Sequence, residues 1–189
     1  MIAEAQKHNA GSNNFLGCEV RNTMDLTQLS KKYKCRRLND SDIDAIYDLC
    51  VRNSLYYEYC PPDATKESIA KDMLALPPNT EPGQKYYTGF FADKRLVAVL
   101  DLIDGYPQQD IAYIGFFMVD VAFQHSGIGS EIISTVSEYL CSNGYSSIRL
   151  AWVKGNPQAE HFWKKNGFVP IKETSASVAD VVILAERIL

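Results

Sequence analysis

The sequence is short of what holds metals, spans membranes or grips nucleic acid. Its five cysteines, Cys18, Cys35, Cys50, Cys60 and Cys141, are odd in number, widely spaced and never arranged as Cys-x-x-Cys. This argues against a disulfide framework or a zinc site and leaves small, partly buried apolar residues in a reducing compartment. The three histidines, His8, His125 and His161, show no ligand spacing, so no metal is expected. No run is long and apolar enough to cross a bilayer, and the first residues lack the basic start and apolar stretch of a secretory signal. The expectation is a cytoplasmic protein with no membrane partner. Acidic residues outnumber basic ones, 23 to 19, for a net charge of −4, and there is no basic stripe. Nucleic acid is therefore disfavoured as a partner. Repeats and low-complexity tracts are absent too.

What is present is enough apolar sequence for one core. Of the 189 residues, 46% are hydrophobic, which fits a single globular domain. Residues 1–30 carry a cluster of Asn, Ser and Gly with scattered apolar positions and read as a flexible or loosely docked arm. Residues 31–189 carry the domain.

The chain is organised around residues 111–143. Ile111 to Val119 is an almost unbroken apolar run, rich in β-branched and aromatic residues and free of proline. Its length and composition favour a strand. Gln124, His125, Ser126, Gly127, Ile128 and Gly129 follow as a short loop. Ile128, Ile132, Val136 and Leu140 then recur every four residues, with Ile133 widening the stripe, so a helix begins inside the loop and stops at Asn143-Gly144. A helix's first turn exposes unpaired N–H groups and the positive end of its dipole, and glycines let a phosphate come close. Two glycines alone describe an ordinary tight connection equally well. A nucleotide-binding Walker loop is excluded because no Gly-Lys-Ser/Thr ending follows. The dinucleotide fingerprint is excluded because Ile132 stands where its third glycine belongs.

The remaining elements follow in order. Residues 33–38 read as a strand, and Ser41 caps a helix with Ile43, Ile46, Tyr47 and Leu49 on its apolar face. Residues 55–60 form a polar-aromatic stretch cut off by Pro61-Pro62. Thr65 caps another helix that ends before Pro77-Pro78. Residues 86–91 and 96–103 form a hairpin, 147–153 a strand, and Asn156-Pro157 opens a helix ended by Asn166-Gly167. Residues 168–171 and 178–186 close the chain as strands. The order β-α-α-β-β-β-α-β-α-β-β implies an α/β fold with a mixed sheet and helices on both faces.

Two blocks carry a family resemblance. Val119-Asp120-x-x-Phe123-Gln124-x-x-Gly127-Ile128-Gly129 resembles the acetyl-CoA signature of the GCN5-related N-acetyltransferase (GNAT) family. Asn156-x-x-Ala159-x-x-Phe162-Trp163-x-x-x-Gly167-Phe168 resembles that family's later Asn-x-x-Ala…Tyr-x-x-x-Gly-Phe segment. The resemblance runs from about residue 33 to the C-terminus. It implies a single-domain GNAT fold with a mainly antiparallel sheet, and acetyl-CoA as co-substrate. The acceptor would be a primary amine on a small molecule or peptide, acetylated by direct attack in a ternary complex. It also implies that backbone N–H groups around Gln124, His125, Ser126, Gly127, Ile128, Gly129 and Ser130 hold the pyrophosphate. Phe117, Met118 and Val119 would pair with the pantetheine arm, the Val119 N–H would face the thioester carbonyl, and Asn156 and Ala159 would line the arm. Many family members form homodimers, and a homodimer is a further expectation.

One position departs from the family pattern. Trp163 stands where the family has a tyrosine that protonates the departing thiolate. An indole N–H donates a hydrogen bond but does not give up its proton at neutral pH. Trp163 is therefore expected to pack or hydrogen-bond near the sulfur, with Tyr56, Tyr57, Tyr59 or water as the acid. The preferred bases for the amine are Glu58 and Asp104, with Asp101 and Asp120 weaker choices. Loss of the tyrosine leaves room for an alternative, a non-catalytic acyl-CoA-binding sensor or regulatory module.

Overall fold

The computed structural model describes residues 23–175 and 181–189. Its strands are β1 (Lys34–Arg37), β2 (Lys85–Ala92), β3 (Arg95–Ile103), β4 (Ile111–Val119), β5 (Ser147–Val153), β6 (Val169–Ser175) and β7 (Val181–Ile188). They form one sheet in the order β1-β2-β3-β4-β5-β7-β6. Every neighbouring pair is antiparallel except β4 and β5, which run parallel. The helices are α1 (Ile43–Val51), α2 (Ser54–Tyr59), α3 (Lys66–Leu74), α4 (Ile128–Ser142) and α5 (Pro157–Lys165). The mixed, mainly antiparallel sheet with helices on both faces agrees with the sequence reading.

Four details differ. Residues 55–60, read as an irregular aromatic stretch, contain the helix α2, so one helix is added to the expected order. Asn39 rather than Ser41 caps the first helical region: its side chain accepts from the Ser41 N–H at 2.9 Å, and a short 3-10 turn leads into α1. The last two strands lie further along the chain than expected, and residues 178–180 of the second fall outside the described residues. So do residues 1–22 of the proposed arm, whereas its last residues are docked. Leu29 is fully buried, and the Asp25 N–H donates to the Tyr139 hydroxyl at 2.8 Å.

Burial on the two sheet faces explains the packing. Ile132, Ile133, Val136 and Leu140 turn one stripe of α4 onto Ile148, Leu150 and Phe168. On the other face Ile46 and Leu49 of α1 and Ile69 of α3 cover Tyr87, Val99 and Met118. The strand β4 serves both cores, which is why it lacks a polar alternation. A bulge sets its register. Asp101 pairs with Phe116 and Leu102 with Ile114, so Gly115 is the extra residue. The bulge shifts the alternation by one. Ala112 and Ile114 face the α4–α5 side, and beyond Gly115 so do Phe117 and Val119, while Phe116 and Met118 face α1–α3.

A buried ion pair sits under the α1–α3 face. Lys85 Nζ lies 2.8 Å from Asp101 Oδ2, with both side chains under one-tenth exposed, and Asp101 Oδ1 has no hydrogen-bond partner among the described residues. Burial pushes the Asp101 carboxyl up to about 6, against the opposing pull of Lys85. Its contribution to stability is complete below its unfolded pKa of about 3.9 and is lost as pH rises through the folded value. Lys85→Met would leave the carboxylate buried without a cation, and the expected loss is about 3–5 kcal/mol at neutral pH and above. Urea unfolding should show that loss shrinking toward pH 4, where Asp101 is neutral with or without Lys85.

Candidate active site

The site begins where pairing stops. The strand β4 pairs with β5 only from Ile111–Ser147 to Ile114–Leu150. Beyond that, Gly115 to Val119 and Ala151 to Val153 diverge, and a cavity of about 230 Å³ opens between them. Phe117, Trp152, Asn156, Ala159 and Trp163 line it on the α4–α5 side. Tyr56, Tyr59, Tyr106, Tyr113, Arg149 and Ala151 line it toward α2. The opening therefore reaches both faces of the sheet.

Backbone alternation fixes which groups face this gap. The Asp120 N–H donates to Val97 O at 2.9 Å, so in an antiparallel ladder Met118 and Phe116 also spend their N–H groups on β3. Those of Phe117 and Val119 point toward β5, where no strand meets them. Met118, expected to pair with the pantetheine arm, is thus corrected: its backbone is engaged with β3 and its side chain lies in the α1–α3 core. Phe117 lines the cavity, whereas Val119, two residues on, has a carbonyl that accepts from the Gln124 side chain at 2.8 Å and from Asn53 at 3.3 Å.

The loop after β4 is built from inside. Asp120, fully buried, accepts from the Ala122 N–H at 3.0 Å and pairs with Arg52 at 2.9 Å and Arg95 at 3.1 Å. The Gln124 amide spans from Val119 O to Asn53 Oδ1, at 2.6 Å, so its side chain braces the loop rather than reaching outward. The Ser126 hydroxyl donates to Phe123 O at 2.6 Å. His125 is exposed at φ 59°, and Gly127 caps α4 at φ 84°. The first helical bond runs from the Glu131 N–H to Gly127 O, and the N–H groups of residues 125–130 have no partner among the described residues. Gly129 is closely packed, and a Cβ there would stand 3.1 Å from the Phe162 ring, which would have to give by a few tenths of an ångström. Ile128 is buried beneath this turn, and Ser130 is half-buried in its first turn.

The α5 wall is aromatic. Trp163 meets Phe162 edge-on at 4.9 Å and Phe168 at 5.1 Å, and Phe117 stacks on Phe162 at 5.9 Å. Asn156 caps α5 through its oxygen, which accepts from the Ala159 N–H at 3.0 Å. Its amide nitrogen has no partner among the described residues. Trp152 adds a buried indole N–H with no partner among the described residues. Sequence reasoning missed this residue, because its alternation in β5 marks it only as core.

The two preferred bases are not brought to the cavity. Glu58 is exposed, since Tyr56, Tyr59 and Cys60 form the inward face of α2 and a residue two positions from Tyr56 points the other way. Asp104 follows the opposite end of β3 and accepts from the Tyr145 hydroxyl. Asp101 is occupied by Lys85, and Asp120 by its two arginines. Among the described residues no Asp, Glu or His lines the cavity. Tyr56 meets Phe116 edge-on at 5.7 Å, and burial pushes its phenol well above the ordinary value, with Cys60 adding to the effect. Burial likewise pushes Tyr113 up to about 12. Both are held as neutral hydroxyl donors.

Comparison with known proteins agrees with this geometry. A model of the acetyltransferase (GNAT) family matches residues 44–168, and the chain belongs to that family and is an acetyltransferase. No curated protein matches the sequence. Among solved structures, the fold is similar to an acetyltransferase from Thermus thermophilus (18% identity, TM-score 0.69, covering 82% of this chain and 96% of that one). It is also similar to the PaiA N-acetyltransferase of Thermoplasma acidophilum, solved in complex with coenzyme A (17%, 0.61, 82% and 98%). A third is a spermidine N-acetyltransferase chimera from Vibrio cholerae and hSSAT (17%, 0.63, 84% and 96%). No helix among the described residues is long and apolar enough to cross a membrane.

The Asp120 cluster generates a prediction. Burial opposes ionisation of Asp120, but the Ala122 N–H and the Arg95 and Arg52 guanidinia outweigh it and hold the carboxyl below the usual range. Asp120→Asn keeps the turn acceptor and removes the countercharge, with an expected cost of about 1.5–3 kcal/mol near pH 7. That contribution is present above the unfolded pKa of about 3.9 and is lost as pH falls through the lower folded value, so wild-type and variant urea curves should converge in acid.

Proposed function

We propose that the protein moves the acetyl group of acetyl-CoA to a primary amine by direct attack in a ternary complex. The observation that carries this reading is the gap between β4 and β5, open to both faces, with the start of α4 packed next to it through Gly129 against Phe162, the ring that stacks on the cavity-lining Phe117. The N–H groups of residues 125–130, at the start of α4, suit the pyrophosphate. With neither Lys nor Arg at positions 125 and 126, backbone donors around Gly127, Ile128, Gly129 and Ser130 supply the grip, and His125 stands at its rim. The pantetheine arm enters the gap in place of the missing strand pairing, against Phe117, Val119, Asn156 and Ala159. The free Asn156 amide and the Trp152 indole N–H are the side-chain donors there.

The Phe117 N–H, inside the cavity, faces the developing oxyanion, with that of Val119 two residues on. One such donor is worth about 2.7–4 kcal/mol in the transition state. In the step itself the amine nitrogen bonds to the thioester carbon, the C–S bond breaks, and a proton from nitrogen ends on sulfur. Trp163 shapes the wall beside the thiol. The Tyr56 or Tyr59 hydroxyl, on the opposite wall, relays that proton, giving its own to sulfur as it takes the one from nitrogen. A CoA thiolate, with a thiol pKa near the usual value of about 8.5, leaves without strong acid help.

Because no carboxylate or imidazole among the described residues lines the cavity, the amine itself sets the pH dependence. The kcat/KM of CoA release should rise through the acceptor amine's own pKa, and should move with it when a less basic amine is used. A bell limb fixed near pH 6 for every amine would contradict this. In calorimetric titration acetyl-CoA should bind, and Gly127→Ala should weaken it about tenfold, since Cβ at this positive φ costs about 1–2 kcal/mol. Binding without turnover on any amine would favour the sensor reading, and no binding would sink the acetyl-CoA assignment.

A further inference from the structure

Among the described residues that line the acceptor half of the cavity, Arg149 carries a formal charge, and it is positive. Ile148, Leu150 and Trp152 of β5 turn into the α4–α5 core, so Arg149 and Ala151 face the opposite side, toward α2. Arg149 sits directly across from Glu186 of β7 and is fixed there, with Nε 2.8 Å from Glu186 Oε1. The same carboxylate oxygen accepts from the Ser147 hydroxyl at 2.8 Å. This tether uses the side of the guanidinium and leaves both terminal nitrogens without a hydrogen-bond partner among the described residues. The side chain is 24% exposed, against the cavity wall. Around it stand the Tyr106 and Tyr113 rings, 5.5 Å apart and edge-on, with Tyr56 and Tyr59 across the opening.

We propose that the acetyl acceptor is a small amine that also carries a carboxylate, held by the free fork of Arg149. This rests on the acetyl-transfer reading above. A guanidinium held at Nε presents two parallel N–H donors, the geometry that a carboxylate fills bidentately. A polyamine or a lysine-like diamine would place its second ammonium in a cavity where no described acid lines the wall and the charged group is cationic. The tyrosines of this half suit an amino acid or similar amino carboxylate with an apolar or aromatic body. The chemistry is unchanged: the N–C bond forms, the C–S bond breaks, and the nitrogen's proton passes to the thiol. The carboxylate only anchors and orients.

The test uses the full chain with acetyl-CoA and follows thiol release on matched pairs: phenylalanine against phenethylamine, tyrosine against tyramine, with spermidine as the polycation. The expected result is at least a tenfold higher kcat/KM for the carboxylated member of a pair, and little turnover of spermidine. Arg149→Lys keeps a cation beside Glu186 but loses the fork. It should raise KM for the carboxylated amine about tenfold, leaving acetyl-CoA affinity by calorimetry and the melting temperature near wild type. Equal or better turnover of the decarboxylated amines or spermidine overturns the proposal. So does an unchanged KM in Arg149→Lys, or acetyl-CoA binding with no turnover of either amino acid. Failure of the wild type to bind acetyl-CoA is a separate outcome that removes the underlying acetyl-transfer reading.

Discussion

The parting of β4 from β5 after four paired residues is the constraint on which the rest of the structure depends. Two central strands that stop pairing leave backbone donors and acceptors inside a protein, and such groups are costly unless something meets them. The fold keeps this gap open by holding each strand from its other side. The strand β4 is bonded to β3 through Val119, and β5 is paired along its whole length with β7. Phe117, Phe162, Trp163 and Phe168 fill the α5 flank with edge-on and stacked rings, so the gap does not collapse there. The buried Asp120 and the Gln124 bridge fix where β4 ends and where α4 begins, which places the free N–H groups of the first helical turn beside the opening.

The bulge at Gly115 makes the gap useful chemically. Without it, the residues that face α4–α5 before the bulge would keep that parity, and Phe116 would stand where Phe117 does. With it, an aromatic ring enters the α5 cluster while the N–H of the same residue turns to the missing strand. One residue thus supplies both wall and donor. On the opposite side Tyr56, Tyr106 and Tyr113, raised in pKa by burial and so neutral, line the cavity, with Arg149 as the charged member among the described residues.

How much of this was legible follows from how local each signal is. The strand at 111–119, the helix from Ile128, the Thr65 cap and the Asn156 cap are written in a few consecutive residues, and the structure contains them. The α2 helix was not legible, because six residues with three tyrosines carry weak helix propensity and take their shape from packing on Phe116. That omission also misplaced the base. Glu58 is adjacent to the tyrosines along the chain, but on a helix it faces away from them. Asp104 follows the end of β3 that pairs with the start of β4, away from the gap, which no local run of residues reveals. Arg149 was readable in principle, as a lone charge in an otherwise apolar strand, but its partner Glu186 lies 37 residues on and its exposure to the gap depends on where pairing stops.

The most direct test of the account is hydrogen–deuterium exchange at the individual amides of β4, with and without acetyl-CoA. The Phe117 and Val119 amides, which face the gap, should exchange far faster than those of Phe116 and Met118 in the free protein, and slow strongly once acetyl-CoA is bound. Protection of Phe117 and Val119 already equal to that of their neighbours, or no change on adding acetyl-CoA, would contradict the claim that the parted strands form the site.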